Sequence, residues 1–180
     1  MNVNKEIEFK TFISEEEYNS LINEFELDNN IFNQTNYYFD TPDTKLMAEK
    51  TVLRIRQKGN SFKLTKKTRA EVGADETHIL IARDRANDLL ANGFDANVIG
   101  LPYFVKNIAQ LTTYRASTPY KDGILFFDKS VYYDKVDYEI EYEVNDVKQG
   151  LEDFQQFLES HNITYRESIR KSKRAYDNRK

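Results

Sequence analysis

Four stretches of this 180-residue chain place charged or polar residues at every second position, alternating largely with apolar ones. They are Glu6-Ile7-Glu8-Phe9-Lys10, Leu53-Arg54-Ile55-Arg56, the run 62–69 and the run 135–144. A β-strand sends successive side chains to opposite faces, so residues i, i+2 and i+4 share a face. The pattern therefore predicts strands with one apolar and one charged side. Glu6, Glu8 and Lys10 fall together, against Ile7 and Phe9. Arg54 and Arg56 oppose Leu53 and Ile55. Lys63, Thr65, Lys67 and Arg69 oppose Phe62, Leu64 and Lys66. Glu139, Glu141 and Glu143 oppose Ile140, Tyr142 and Val144.

One such strand is the ordinary pattern of a half-solvated sheet. The set asks for more. Like charges two apart on a strand stand only about 7 Å from one another, and here one strand offers three carboxylates while two others offer two to four cations. Each group repels itself. Gathered around a shared lumen, the groups compensate and leave room for an anion bridged by metal ions. Arginine holds phosphate oxygens bidentately and lysine holds them as a point charge. Carboxylates alone repel phosphate, whereas carboxylates carrying a hard divalent cation attract it. Mixed walls thus point to metal-assisted binding of a polyphosphate.

The rest of the chain reads as α+β. Residues 3–12 form a strand and 14–27 a helix, with Ser14 as N-cap and Glu17 completing a capping box. Tyr18, Leu21, Ile22 and Phe25 make its apolar face. A strand at 34–40 and a short helix at 43–49 follow. Strands 51–57 and 62–69 make a hairpin across Lys58-Gly59-Asn60-Ser61. A strand at 76–82, helices near 83–92 and 102–110, and a strand at 111–118 come next. After a turn from Pro119 to Gly123, strands 124–132 and 135–144 lead to a helix at 146–160. That helix shows Val147, Leu151, Phe154 and Leu158 on one face, and the basic tail 167–178 reads as helical. The sum is an antiparallel sheet of roughly eight strands in one domain spanning 1–180.

Composition narrows the chemistry. The chain has no cysteine, which excludes disulfides, thiolate metal sites and cysteine nucleophiles, and it has only two histidines, His78 and His161. A net charge of −4 disfavours a general nucleic-acid binder. No apolar run approaches a membrane span, and the first residues carry no signal-peptide core. A cytoplasmic location fits, and a homodimer is left open.

The motif Glu6-Ile7-Glu8-Phe9-Lys10 matches the ExExK signature of the CYTH domain, also called the triphosphate tunnel metalloenzyme family. The resemblance continues in order through Leu53-Arg54-Ile55-Arg56, Leu64-Thr65-Lys66-Lys67, Arg115, Asp128 and the row Glu139 to Glu143. The segment 34–41 (QTNYYFDT) and the length are most similar to small bacterial members, often labelled adenylate cyclases. The resemblance implies an eight-stranded antiparallel β-barrel enclosing a tunnel, with helices packed outside. It implies Mg²⁺ or Mn²⁺ held by Glu6, Glu8, Asp128, Glu139, Glu141 and Glu143. Lys10, Arg54, Arg56, Lys67 and Arg115 match phosphate-binding positions, and Lys63 shares the face of Lys67. Lys173 resembles a lysine near the family's C-terminus, with Arg170, Lys171 and Arg174 competing for that register. Glu6, Glu8, Lys10 and Glu141 are the expected catalytic set.

Blander roles stand beside these. Asp128 fits a strand end, Arg115 a surface ion pair, and Lys173 a solvated helix. Glu76 and His78 share a strand face and are candidates for the lumen, with a structural role for His78 as the alternative. Tyr132, Tyr133 and Tyr138 read as packing residues. The expected activity is hydrolysis of a triphosphate, inorganic or organic. One metal at Glu6, Glu8 and a late glutamate would neutralise the phosphates, and a second at Glu139, Glu141 or Glu143 would position water. Cyclisation of ATP to cyclic AMP and non-catalytic polyphosphate binding are the alternatives.

Overall fold

The structure, a computed structural model, describes residues 2–179; Met1 and Lys180, at the ends of the expected domain, lie outside the described residues. In chain order the elements are β1 (Asn2–Ile13), α1 (Glu15–Glu24), β2 (Phe32–Asp40), α2 (Lys45–Ala48), β3 (Thr51–Lys58), β4 (Ser61–Arg69) and β5 (Ala74–Ile81). Then come α3 (Arg83–Asn92), β6 (Phe94–Asp95), β7 (Phe104–Tyr120), β8 (Gly123–Tyr132), β9 (Lys135–Val144), α4 (Val147–Ser160) and α5 (Lys171–Asn178). The strands form one hydrogen-bonded ladder in the order β2-β3-β4-β5-β1-β9-β8-β7, which closes where β2 pairs with β7. This is an eight-stranded antiparallel β-barrel of the α+β class; the two-residue β6 adds only an edge to β7.

The chain packs as two compact units, one built on Gln34–Leu111 and the other on Glu6–Asn33 and Thr112–Arg170. In the first, Leu53, Ile55, Phe62 and Leu64 turn outward from β3 and β4 against Leu46 of α2 and Ala86 and Leu89 of α3. The buried carboxylate of Asp40 serves this layer. Its Oδ1 accepts from the backbone N–H of Thr41 at 2.7 Å and of Leu46 at 2.9 Å, and its Oδ2 from that of Met47 at 3.1 Å, capping α2.

In the second unit, Leu125, Phe127, Ile140 and Tyr142 of β8 and β9 pack against Tyr18, Leu21 and Ile22 of α1 and Phe154, Phe157 and Leu158 of α4. Ser14 caps α1 as its sequence announces: its Oγ accepts from the Glu17 N–H at 3.1 Å, and the Glu17 carboxylate accepts from the Ser14 N–H at 2.8 Å. Gly150 lets α4 lie directly on β9. A Cβ there would sit 2.6 Å from Cγ2 of Val144.

Several local expectations are corrected. The segment 102–110 is not a helix: from Phe104 on it is the first part of β7, and Phe94 pairs with Val105 and Asp95 with Phe104. Val105, Ala109 and Leu111 are buried while Lys106 and Gln110 are exposed, an alternation that a short polar stretch disguises. The following turn tightens to Lys121 and Asp122, because β7 runs on through Pro119, which pairs with Ile124. Helix α1 stops at Glu24, and Glu26 adopts a left-handed φ of 54°. Helix α4 buries Gly150, Asp153, Phe154, Phe157 and Leu158, whereas Val147 and Leu151 stay 40% and 41% exposed. The tail helix begins only at Lys171.

Candidate active site

The face of β1, β7, β8 and β9 turned away from α1 and α4 is acidic. Register alignment puts Phe12, Glu139, Asp128 and Arg115 in one cross-strand row. Lys10, Glu141 and Phe126 form the next row, and Glu8 faces Glu143 beyond it. Asp128 and Glu139 are fully buried and Glu141 nearly so. One carboxylate oxygen from each of these three lies within 4.8 Å of the others. The expected ligands Glu6, Glu8 and Glu143 share the face but lie outside that group; Glu143 keeps solvent access near the strand end.

Arg115 binds two of the three carboxylates. Its Nε donates to Asp128 Oδ1 at 2.8 Å, and its Nη2 donates to Asp128 Oδ2 at 2.7 Å and to Glu141 Oε2 at 2.9 Å. Its guanidinium lies 4.3 Å from the centre of the Phe126 ring. Burial works against the Arg115 charge, but Asp128, then Glu141 and Glu8, outweigh it and hold its pKa above the ordinary arginine value. Asp128 is thus a mid-strand residue rather than a strand end, and Arg115 pairs with a buried carboxylate rather than a surface one. The third carboxylate, Glu139, accepts a 2.6 Å hydrogen bond at Oε2 from Ser168 Oγ.

Three carboxylates and one guanidinium meet here in a buried setting. Hard oxygen donors at this spacing suit a divalent cation. The same field acts on neighbours. The Glu143 pKa is raised by burial first, then by Glu6 and Glu8. Burial and Asp128 push the Tyr18 phenol up to about 12.

The corresponding face of β2–β5 is basic. Asn36, Arg56 and Lys63 form one row, and Tyr38, Arg54, Thr65 and His78 the next; Lys67 faces Glu76 beyond. Arg56 Nε donates to Asn36 Oδ1 at 2.9 Å, and Asn36 Nδ2 donates to Tyr38 Oη at 3.2 Å. Half-buried Lys63 has its pKa lowered by burial first, then by Arg56 and Arg54. Thr65 Oγ1 lies 2.9 Å from His78 Nδ1, and His78 Nε2 lies 3.2 Å from Glu76 Oε2. Arg54 Nη2 is 3.9 Å from Glu76 Oε1.

Lys10, Arg54, Arg56, Lys63, Arg115, Asp128, Glu139 and Glu141 fall in these rows. Lys173 does not join them: its side chain is 56% exposed and its Nζ donates to Asp177 at 2.8 Å. Helix α5 instead buries its neighbour Arg174. Two contributors escape the sequence reading. Asn36, which orients Arg56, carries no charge, although the alternation of Gln34, Asn36 and Tyr38 marks its face. Ser168 sits in the irregular stretch before α5, where no periodicity could flag it.

The sequence profile of the CYTH domain matches residues 4–176. The chain belongs to the CYTH family. Among curated CYTH relatives, a Bacillus subtilis (strain 168) protein named "Putative triphosphatase YjbK" is 32% identical over 186 residues, covering 97% of this chain and 96% of that protein. A Bacillus halodurans crystal structure, described as a "putative adenylate cyclase", superposes with a TM-score of 0.89 at 30% identity, covering 97% of this chain and 98% of that one. HpAC1 from Hippeastrum, whose structure is reported to reveal a dominant triphosphatase activity, shares the CYTH fold with a TM-score of 0.73 at 19% identity, covering 98% of this chain and 95% of that one. No helix among the described residues is long and apolar enough to cross a membrane.

Proposed function

We propose that this CYTH protein hydrolyses a phosphoanhydride bond of a linear triphosphate with the help of Mg²⁺ or Mn²⁺. The observation that carries the reading is the buried Asp128–Glu139–Glu141 cluster beside Arg115, in a chain whose β3 and β4 present Arg54, Arg56, Lys63 and Lys67. The name of the Bacillus subtilis relative supports triphosphate as the substrate class.

A divalent cation bound by these carboxylates supplies charge neutralisation and polarises water. Asp128, Glu139 and Glu141 would hold it, and Glu6, Glu8 and Glu143 share their acidic face. Ser168 fixes one oxygen of Glu139, and hydrogen bonds of this kind orient ligands and tune affinity. Arg54, Arg56, Lys63 and Lys67 receive the phosphoryl oxygens, and Arg115 and Lys10 stabilise charge that grows as the bond breaks. The reaction needs no covalent nucleophile from the protein, and water attacks the phosphoryl group.

The test is phosphate release from tripolyphosphate and from ATP, with Mg²⁺ or Mn²⁺ and with chelator, in the wild type and in Glu141→Gln. Metal-dependent release that Glu141→Gln abolishes without unfolding the protein is expected. Release that ignores both chelator and substitution rejects the metal role. Cyclic AMP and pyrophosphate as the products would make the protein a cyclase.

A further inference from the structure

Glu76 is an anomaly on the basic face. The residue is 8% exposed, and its carboxylate stands among groups suited to phosphate, where a bare negative charge would repel the ligand. His78 occupies one of its oxygens, Oε2, at 3.2 Å, and Thr65 in turn fixes the other nitrogen of that ring. The other oxygen, Oε1, is buried and has no hydrogen-bond partner. Arg54 Nε, a donor on the facing side chain, is equally buried and equally without a partner. The two side chains approach only to 3.9 Å, beyond hydrogen-bonding distance. Buried polar atoms are nearly always satisfied, and leaving one alone is costly. A ligand that completes both must accept from Arg54 and donate to Glu76.

Fully ionised phosphate accepts but cannot donate. A phosphoryl group that retains one proton does both: P–O⁻ takes the Arg54 N–H, and P–OH donates to Glu76 Oε1. We propose that Glu76, braced by His78 and Thr65, is a specificity-determining residue that recognises a proton-bearing phosphoryl group and rejects aprotic oxyanions of the same charge and shape. The proposal rests on the triphosphate reading and adds which protonation state of the phosphoryl group the site reads. The proton-bearing group is either the terminal phosphate of the substrate or the orthophosphate released from it. Sulfate is the discriminating probe, since at neutral pH it matches hydrogen phosphate in charge and geometry but has no O–H. A site built around a donor disfavours an analogue that lacks it, because its own acceptor is left unpaired.

The experiment is calorimetric titration of the full chain, in chelator, with phosphate, sulfate and tripolyphosphate, for the wild type and Glu76→Gln. The wild type is expected to bind phosphate at least about tenfold tighter than sulfate, the scale of one hydrogen bond to a charged group. Glu76→Gln, whose amide can donate to sulfate, is expected to bring the two within about threefold, largely through gained sulfate affinity. Equal wild-type affinities, a preference that survives the substitution, or no measurable phosphate binding would overturn the proposal. If circular dichroism finds Glu76→Gln unfolded, the wild-type ratio decides alone. The tripolyphosphate arm, run in addition with Mg²⁺ in place of chelator and with phosphate release recorded, separates the two readings. Tripolyphosphate bound and hydrolysed while phosphate and sulfate tie removes only the role of Glu76, whereas tripolyphosphate that neither binds nor reacts removes the triphosphate reading itself.

Discussion

Arg115 and Asp128 face each other across β7 and β8 as a two-pronged pair, with Nε–Oδ1 at 2.8 Å and Nη2–Oδ2 at 2.7 Å. Asp128 is wholly buried, so removing either partner strands a charge in a dry setting. Asp128→Asn should lower stability by about 3 kcal/mol, read from the shift in urea midpoint. Arg115→Met should be worse in chelator, since it leaves Asp128, Glu139 and Glu141 facing one another, and Mg²⁺ should restore much of the loss. A variant as stable in chelator as the wild type would show that Arg115 is not what balances the cluster.

Lys63 trades stability for binding. Its folded pKa is lowered, by burial first and then by Arg56 and Arg54, so the folded state disfavours its charged form. The cost is absent above the ordinary lysine pKa, accrues as pH falls through the window down to the lowered value, and is complete below it. Lys63→Met should therefore melt higher than the wild type near neutral pH while binding tripolyphosphate about tenfold more weakly. Thermal melts and calorimetry on the same sample check both halves.

Glu143 should give the protein a pH signature. Its pKa is raised from 4.5 by burial, then by Glu6 and Glu8, so the folded state holds this proton more tightly than the unfolded chain. The associated stability is present below 4.5 and is lost as pH rises from there through the raised value. Glu143→Gln should raise the melting temperature at about pH 7 and change it little at about pH 4, in chelator at both. An equal gain at the two values would trace the effect to something other than this proton.

Gly150 sets two magnitudes against each other. Alanine is favoured over glycine in a helix by about 1 kcal/mol. A Cβ at this position would lie 2.6 Å from Val144 Cγ2 and 3.0 Å from two further atoms of that side chain, which β9 holds in place. Overpacking of this kind costs about 1–3 kcal/mol. Gly150→Ala should be net destabilising, and pairing it with Val144→Ala should recover part of the loss in urea denaturation.

The inward rows were legible because charge at every second position suits a strand with one charged face and little else in a folded chain. Glu8, Arg54, Arg56, Glu139 and Glu141 took their faces from that alternation alone. Residues 104–110 were not legible as strand: Asn107, Ile108 and Gln110 dilute the alternation, and β8, the next strand along the sequence, pairs with β7 only from Thr112 onward. The face of α4 slipped for a related reason, since Gly150 contributes no hydrophobic signal yet lies at the closest approach to β9. Lys173 and Arg174 differ by one position on a short helix, and only tertiary packing decides which is buried. Ser168 and Asn36 act through single hydrogen bonds, which leave no periodic trace.

The pairing of β1 with β9 sets Lys10 opposite Glu141 and Phe9 opposite Tyr142. A slip of β9 by a single residue would exchange its two sides, driving three glutamates into the aromatic layer beneath α1 and α4 and exposing Ile140 and Tyr142 to the charged side. Few mispaired intermediates could survive such a double mismatch. The ionic lining thus proofreads the sheet during folding, whatever it later binds, and selects one alignment from many that backbone hydrogen bonding alone would accept.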